Sequence, residues 1–302
     1  MKAHLVPATL ALISAASTTI AGPGEPCGVF ESPTPGQGQA GRMLSAIAVR
    51  ADTGFAIGRS YPQGSGPFTP LLYRYDGVSW FEESLPPLPS QAYDPVLMSV
   101  AMSSAVPDTA WIVGYVSVPP TTNNLPLIAR WRNGSFDRID TPMLRRQVEY
   151  PYGPRGGFAY DAVVLADDDV WAVGQAGGFG DAVTSSVAMA LHWNGSDWTD
   201  VPTPIVANRT HRFDAVSASA PDNVWAVGTS RNIGGPFLGF IQRWDGSSWN
   251  VVSHPALSIP ASQFHDVLAL SPSEVWVAGS INYTDPLLYR FNGSSWQSMP
   301  LP

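Results

Sequence analysis

Small polar and acidic side chains recur near the start of five similar stretches of this sequence. They are Ser45, Ser99, Asp161, Asp214 and Asp266. If the stretches surround one axis, three carboxylates and two hydroxyls would lie at the mouth of a narrow channel. Such oxygen ligands suit a cation or the hydroxyls of a sugar. The alternative is local, because these side chains often bond to their own backbone turns and then need no ligand.

A second group of candidate binding residues is basic and aromatic. We expect it in connections between strands, and it comprises Arg145, Arg146, Tyr150, Tyr152, Arg155, Arg209, His211, Arg212 and His265. The planar guanidinium group pairs with a carboxylate through two parallel hydrogen bonds, and tyrosine rings beside it suit a sugar. We predict a binding surface here. The alternative is a set of solvated loop residues without a ligand.

A third pattern is a basic residue before the aromatic residue of each third strand. It recurs as Arg74, Arg130, His192, Arg243 and Arg290. An acidic residue also recurs in the first turn of each stretch, as Asp52, Asp108, Asp168, Asp222 and Glu274. A catalytic site needs different groups from different copies. Repetition in all five copies therefore predicts structural ion pairs or caps.

The familiar catalytic and metal-binding patterns are missing. The sequence has no Gly-x-Ser-x-Gly, His-Glu-x-x-His, phosphate loop or dinucleotide fingerprint. The histidines after the N-terminal region have no partner two or four residues away, so we predict no metal and no cofactor. No residue is assigned as catalytic, and we favour a protein that is not an enzyme.

One stretch, 214–255, shows the repeated unit most clearly. Runs of small and β-branched residues at 214–218 and 224–228 flank an Ala-Pro-Asp-Asn turn and predict a hairpin. The runs 240–244 and 249–252 flank an Asp-Gly dipeptide, which suits a tight turn, and predict a second hairpin. The unit is therefore predicted to be a four-stranded antiparallel sheet.

Five copies of this unit are present. Their second strands read GFAIG, AWIVG, VWAVG, VWAVG and VWVAG, and their second hairpins carry YDGVSW, RNGSF, WNGSDW, WDGSSW and FNGSSW. The mean spacing of about 54 residues is typical of four-stranded propeller blades. A single sheet cannot bury both of its faces, so the copies must stack on one another. We predict an all-β fold, a five-bladed β-propeller of four-stranded antiparallel blades at 44–302. Closure into a ring would remove exposed edges.

In such a propeller the short hairpin turns lie on one face and the longer connections on the other. The longer connections are predicted at 59–70, 115–126, 140–158, 175–186 and 229–239. Binding groups tend to lie on irregular loops that a rigid scaffold holds. We therefore expect this second face, called the loop face, to carry the function.

The N-terminal region predicts export. Residues 1–21 begin with Met-Lys and continue with an apolar run and small residues, as in a secretory signal peptide. Residues 22–43 form a Pro/Gly/Gln-rich arm, in which 28–35 is either an extra closing strand or a loose segment. No later apolar segment is long enough to span a membrane. We expect a secreted or periplasmic protein.

Composition limits the classes of partner. The chain has 44% hydrophobic residues and a formal net charge of −8, and an acidic surface argues against nucleic-acid binding. The single cysteine, Cys27, cannot form an internal disulfide, so packing must stabilise the fold. We expect a monomer whose ligand is a carbohydrate or protein of the envelope or extracellular space.

The segments DNVWAVG with RWDGSSW, and DDVWAVG with HWNGSDW, resemble a repeat of secreted bacterial β-propellers related to the kelch and galactose-oxidase type. The resemblance covers about residues 44–302, implies the propeller fold and implies little about function. The hairpin turn also looks like the Asp-box of sialidase propellers, but the serine of that motif is lacking. Five blades of this length are similar to tachylectin-like lectins in architecture alone.

Three functions remain open from the sequence. The first is an exported, non-enzymatic propeller that binds a carbohydrate or protein through its loop face. The second is a polysaccharide hydrolase or lyase, in which Arg145, Arg155 or Arg212 would hold a sugar carboxylate and Tyr152 or His211 would move the proton. The third is a structural or assembly factor of an exported complex.

Overall fold

The structure, a computed structural model, describes residues 42–50, 52–60, 69–88, 93–118, 123–140, 156–177, 186–206, 209–232 and 234–301. These residues form twenty β-strands, and their helical content is one 3-10 turn at Pro255–Ser258. The predicted all-β class is confirmed. The proposed signal peptide and most of the arm lie outside the described residues. Arg42 and Met43, which we assigned to the arm, belong to the first strand.

The strands form five separate sheets, each contributed by one repeat. Sheet 1 contains β1 (Arg42–Val49), β2 (Gly54–Ser60), β3 (Thr69–Tyr75) and β4 (Trp80–Glu82); sheet 2 contains β5 (Tyr93–Ser103), β6 (Val106–Val118), β7 (Asn123–Arg132) and β8 (Ser135–Asp140); sheet 3 contains β9 (Gly157–Ala166), β10 (Asp169–Ala176), β11 (Val187–Trp193) and β12 (Trp198–Asp200); sheet 4 contains β13 (Arg209–Ala220), β14 (Asn223–Asn232), β15 (Phe237–Trp244) and β16 (Trp249–Val251); sheet 5 contains β17 (Ser262–Ser271), β18 (Glu274–Ile281), β19 (Asp285–Phe291) and β20 (Trp296–Ser298). In every sheet each strand pairs with the next one along the chain, antiparallel. Each repeat is therefore the predicted meander.

The strands extend further than the sequence patterns predict. The loop predicted at 229–239 is largely a hairpin, since β14 continues to Asn232 and β15 begins at Phe237. Three predicted loop residues, Arg209, His211 and Arg212, lie on β13. The reason is that backbone pairing continues past the glycine that ends each sequence motif. In sheet 4, residues up to Arg209 pair across to Asn232.

The first strands of successive sheets lie against one another in the order β1, β5, β9, β13 and β17. The first strands are therefore innermost, and the sheets stack face to face as successive blades around an axis. The second and third strands of each sheet also pack on the first strand of the following sheet. Among the described residues, no strand of sheet 5 packs extensively on a strand of sheet 1.

Aromatic rings fill the junctions between sheets. The second-strand ring of one sheet packs on the hairpin rings of the next, with centroid distances of 5.5 Å for Phe55–Trp131, 5.4 Å for Trp111–Trp193, 5.0 Å for Trp171–Trp244 and 5.5 Å for Trp225–Phe291. Each such pair adds about 0.5–1.5 kcal/mol beyond the burial of its apolar area. The repeated tryptophans are thus the contacts that hold neighbouring sheets together.

The repeated glycine of the second strand has a packing role. In sheet 3, Val173 pairs with Asp161 but Gly174 pairs with Ala159, so the first strand bulges beside the glycine. A Cβ atom on Gly174 would collide with the carbonyl oxygen of Phe158. The same collision with the first strand occurs at Gly58, Gly114, Gly228 and Gly279. The bulge and the glycine therefore require each other in all five sheets.

Candidate functional site

Each bulge pushes one residue out of the innermost strand, at the same level in all five sheets. The bulged residues are Ser45, Met98, Tyr160, Asp214 and His265. Bulges commonly redirect side chains beside functional sites. We call these five residues the bulge ring. It places five different side chains at one level of the innermost strands, and a specific binding site requires such variety.

The five polar residues that we predicted at the channel mouth fall into two layers. Ser45 and Asp214 belong to the bulge ring, whereas Ser99, Asp161 and Asp266 each follow the bulged residue of their sheet. In the sequence they form one recurring position. The structural register separates them by one residue, which changes the direction of the side chain.

Asp161 is a buried bridge between three sheets. Its side chain is 5% exposed; Oδ1 accepts a 2.7 Å hydrogen bond from the Ser99 hydroxyl of sheet 2, and Oδ2 accepts one of 2.9 Å from the Val216 N–H of sheet 4. Burial raises the pKa of Asp161 to about 7, although these hydrogen bonds oppose the rise, and the charge of Asp266 adds to it. Ser99 and Asp161 thus connect sheets.

Two further members of the set, Asp266 and Ser45, make local contacts. The Asp266 carboxylate accepts a 2.8 Å hydrogen bond from the adjacent Val267 N–H, and burial raises the pKa of Asp266 to about 6. The Ser45 hydroxyl lies 3.4 Å from the carbonyl oxygen of Ile57 in its own sheet. Local bonding of this kind is the alternative that the sequence left open.

In sheet 4 the bulge-ring residue Asp214 forms an ion pair with Arg212 of the same strand. The Nε atom of Arg212 lies 3.0 Å from Oδ1 and 3.2 Å from Oδ2 of Asp214. Burial raises the pKa of Asp214 to about 6, and the charge of Arg212 opposes this rise. No described residue accepts a hydrogen bond from the two terminal nitrogens of Arg212, whose side chain is 33% exposed. The pair therefore fixes the guanidinium and leaves its outer donors available.

Tyr160 and His265 lie on either side of this pair. Burial raises the pKa of Tyr160, and the charges of Arg212 and Asp214 act on it with opposite signs. Its hydroxyl oxygen is buried and has no hydrogen-bond partner in the described part of the chain. His265 is exposed as a residue, but partial burial of its ring and the charge of Arg212 lower its pKa. Its Nε2 lies 3.0 Å from the Ser280 hydroxyl.

Other predicted site residues are placed differently. His211 is only 1% exposed and stacks on Phe240 at 4.7 Å, and burial lowers its pKa. It is therefore a buried residue of sheet 4 and is remote from solvent, so the predicted ligand contact is not supported. Arg209 begins β13 and is partly exposed. Arg145, Arg146, Tyr150, Tyr152 and Arg155 lie outside the described residues.

Sequence patterns missed Tyr160 and its aromatic neighbours as candidates. Tyr115 packs on Phe158 at 4.8 Å, and Phe158 stacks on Tyr160 at 6.0 Å, so three rings connect sheets 2 and 3 at this level. Alignment of the repeats on the second-strand glycine would have identified Tyr160. Tyr160 directly follows Ala159, the residue that pairs with Gly174.

Four of the five basic residues of the third strands, Arg74, Arg130, His192 and Arg290, pair with an acid of their own repeat, but most of these acids are not the predicted turn acids. Arg290 pairs with Glu274 at 3.0 Å, the only such pair among the described residues that uses a predicted turn acid. Arg130 pairs instead with Asp137 of the fourth strand at 2.8 Å and lies 5.4 Å from the Trp111 ring. His192 pairs with Asp169, next to the predicted Asp168, at 2.9 Å. These groups support the sheet junctions.

Two features are absent from the described residues. No three His, Cys, Asp or Glu side chains of that part of the chain are grouped so that they could hold a metal ion. No helix within it is long and apolar enough to cross a membrane.

Comparison with known proteins supports the fold alone. No family model and no curated protein matches the sequence. The fold is similar to that of a protein of unknown function from Dyadobacter fermentans, with 13% identity, coverage of 86% of this chain and 83% of that chain, and a TM-score of 0.53. It is also similar to the BP39L lectin from Burkholderia pseudomallei, with 15% identity, coverage of 84% and 70%, and a TM-score of 0.50.

A further similar structure is a fungal lectin from Aleuria aurantia, described as a six-bladed β-propeller that recognises fucose. It shares 11% identity, covers 86% of this chain and 78% of that chain, and has a TM-score of 0.49. At such low identities the shared property is the architecture. The chain is a repeat β-propeller with five described four-stranded sheets.

Proposed function

We propose that this protein binds a carbohydrate at the bulge ring on its loop face. The proposal rests on the hydrogen bonding and the exposure of the Arg212 side chain. Its Nε atom is held by Asp214, while its side chain is partly exposed and its terminal nitrogens have no acceptor among the described residues. A preorganised donor pair of this kind loses little entropy when it binds a ligand.

The neighbouring groups suit a ligand with many hydroxyls. The Asp214 carboxylate accepts hydrogen bonds, the Arg212 nitrogens donate them, and the Tyr160 hydroxyl does both. The unpaired Tyr160 oxygen belongs to the neighbouring sheet 3, and a ligand hydroxyl or an ordered water that reached it would satisfy it. The similar BP39L protein is described as a lectin, which agrees with this ligand class.

The test is a glycan array followed by titration calorimetry with the strongest glycan. We compare the wild type with Arg212→Gln. The glutamine side chain is shorter than that of arginine and carries no charge. The control is Arg290→Gln, because Arg290 is also paired through Nε to an acid but lies away from the bulge ring. We expect Arg212→Gln to weaken binding at least about tenfold, or about 1.4 kcal/mol, and the control to bind normally. Equal affinities of the two variants would refute the site.

Hydrolysis of a glycan is the second candidate, because the carboxyl groups of Asp214 and Asp266 have pKa values of about 6. Groups that titrate near neutral pH suit general acid and base catalysis. Catalysis predicts the release of reducing ends from a bound polysaccharide and its loss in Asp214→Asn. Binding of the polysaccharide without release of reducing ends would support carbohydrate binding alone.

Export of the protein and the number of sheets in its ring are also part of what we propose. We infer that residues 1–21 direct export, so the protein meets its ligand outside the cytoplasm. We also infer that the five sheets constitute the whole ring. Five complete repeats and five complete sheets support this number.

A further inference from the structure

The hairpin turn between β18 and β19 carries an aromatic residue where the backbone favours glycine. Asn282 and Tyr283 have positive φ angles of 51° and 66°, and the Thr284 N–H donates a 3.1 Å hydrogen bond to the carbonyl oxygen of Ile281. These features are those of a type I′ turn, whose second central residue is preferentially glycine. A bulky side chain in this backbone conformation is strained. The turn is therefore strained at Tyr283.

The other hairpin turns show how this chain avoids such strain. In the turn between the third and fourth strands of every sheet, a glycine has a positive φ angle; these glycines are Gly77, Gly134, Gly195, Gly246 and Gly293. Tyr283 is the only aromatic residue with a positive φ angle in the described part of the chain. Backbone strain of this kind is concentrated at functional sites, where it is part of the function. Turn geometry alone does not explain a tyrosine at this position.

The ring of Tyr283 is open to solvent. The residue is 67% exposed, and its ring contact among the described residues is an edge contact with Phe237 of sheet 4, at a centroid distance of 6.5 Å and an interplanar angle of 87°. Such a contact covers at most one face of the ring, so the other face is free. Burial of the ring in a core therefore does not compensate for the strained backbone.

An arginine lies beside the same pair of rings. The guanidinium carbon of Arg231 is 5.0 Å from the centroid of the Phe237 ring, and its Nε atom donates a 3.1 Å hydrogen bond to the carbonyl oxygen of Gly235. No described residue accepts a hydrogen bond from its terminal nitrogens. We call Arg231, Phe237 and Tyr283 the aromatic corner. It combines an open ring face with a fixed cation whose outer donors are available.

The aromatic corner lies next to the bulge ring and further out on the loop face. In sheet 4, Thr229 pairs with Arg212, and Arg231 is two residues further along β14, or about 7 Å at the usual rise of a strand. In sheet 5, Ser280 lies 3.0 Å from Nε2 of the bulge-ring residue His265, and the strained turn begins two residues later. One sugar ring cannot cover this separation and also fill both places. A glycan that contacts both must therefore contain at least two sugar units.

We propose that the aromatic corner binds a further sugar unit of an oligosaccharide whose first unit lies at the bulge ring. The C–H groups on one face of that sugar pack on the open face of Tyr283, and the terminal nitrogens of Arg231 donate hydrogen bonds to its hydroxyls. A glycine at position 283 would relieve the strain but would leave no ring for the sugar. This inference rests on the proposed function, although it concerns a separate set of residues.

The test compares sugars of different length. An array of immobilised monosaccharides and their linear oligomers selects one sugar series, and titration calorimetry then measures the affinity for each member of that series. We expect the wild type to bind an oligomer at least about tenfold more tightly than its monosaccharide. Tyr283→Gly should lose this preference and bind the monosaccharide as the wild type does.

Two controls show whether the ring of Tyr283 is responsible. Tyr283→Phe keeps the ring and should keep the preference for oligomers. Phe81→Ala removes another aromatic residue that is 44% exposed and lies beside an arginine, 5.4 Å from Arg74, but on the outer strand of sheet 1. It should also keep the preference. Equal preferences in Tyr283→Gly and Phe81→Ala would overturn the inference.

Thermal unfolding without any glycan gives a second readout. Tyr283→Gly loses the contact with Phe237 but also loses the strain of the turn. We expect its melting temperature to lie above that of the wild type or within about 2 °C of it. A larger fall would mean that the ring stabilises the fold, and it would overturn a role in binding as the reason for the strain.

The same measurements distinguish failure of this inference from failure of the proposed function. Arg212→Gln should weaken the binding of monosaccharides and oligomers alike. If it does so while Tyr283→Gly keeps the preference for oligomers, the aromatic corner is refuted and the bulge ring is supported. If Arg212→Gln binds normally while Tyr283→Gly loses the preference, the bulge ring is refuted and stacking on Tyr283 is supported. Binding to no sugar of the array would overturn both.

Discussion

The hydroxyl of Ser99 in sheet 2 donates a 2.7 Å hydrogen bond to Oδ1 of Asp161 in sheet 3. The other oxygen of the same carboxyl group accepts the Val216 N–H of sheet 4. One side chain therefore connects three sheets directly beneath the bulge ring. Its removal should affect the order of the whole site as well as stability.

Substitution of Asp161 should separate hydrogen bonding from charge. Asp161→Ala leaves the buried Val216 N–H without an acceptor, so we expect a loss of about 1–3 kcal/mol in the free energy of unfolding. Asp161→Asn keeps an acceptor for Val216 and can donate to the Ser99 hydroxyl. It should therefore be no less stable than the wild type at pH 8. Urea unfolding of both variants measures this; equal losses would contradict the bridging role.

The same residue gives a prediction for pH. The pKa of Asp161 in the folded state is about 7, above its ordinary value of 3.8, so the folded state binds the proton more tightly. Its contribution to stability is therefore full below about pH 4, falls as the pH rises, and is lost above about pH 7. Asp161→Asn cannot titrate. We expect its stability relative to the wild type to increase between pH 4.5 and pH 8, and a constant difference would contradict the raised pKa.

The repeated glycine should tolerate no side chain. Gly174→Ala places a Cβ atom against the Phe158 carbonyl, so the bulge of sheet 3 must shift. We expect a loss of at least about 2 kcal/mol, since buried overpacking typically costs 1–3 kcal/mol. The control is Ala172→Gly on the same strand, which creates no collision and should cost about 1 kcal/mol. Thermal unfolding compares them, and a neutral Gly174→Ala would refute the packing role.

Tyr160 should show a conflict between stability and function. Its hydroxyl oxygen is buried and unpaired, so Tyr160→Phe removes a polar atom that is costly to bury. We expect the free energy of unfolding to rise by about 1 kcal/mol, together with weaker glycan binding. Tyr115→Phe is the control, because Tyr115 lies in the same row of rings. A loss of stability in Tyr160→Phe would show that the hydroxyl has a partner.

Much of the fold follows from the sequence because it depends on local patterns. The hairpin turns, the tryptophans and the glycines repeat in register, and they correctly predict five four-stranded sheets. The ends of the strands could not be predicted from the sequence. Pairing beyond Gly228 depends on the partner strand, and no residue type in the sequence indicates it.

Only part of the candidate site could be predicted from the sequence. The bulge shifts the register by one residue, so Asp161 and Asp214 occupy the same level in the sequence pattern but different layers in the structure. The burial of His211 also depends on its stacking against Phe240, a residue far along the chain. Arg212 and His265, which we predicted in connections of the loop face, lie on β13 and β17, and their role in ligand binding stays a prediction.

Arg212 is the residue that we propose to hold a carbohydrate at the bulge ring. A crystal structure of the complex with the strongest glycan from the array would test this contact. We expect a sugar oxygen within about 3.2 Å of a terminal nitrogen of Arg212, with Asp214 still bonded to Nε. A glycan bound elsewhere on the propeller, with Arg212 making no contact, would contradict it.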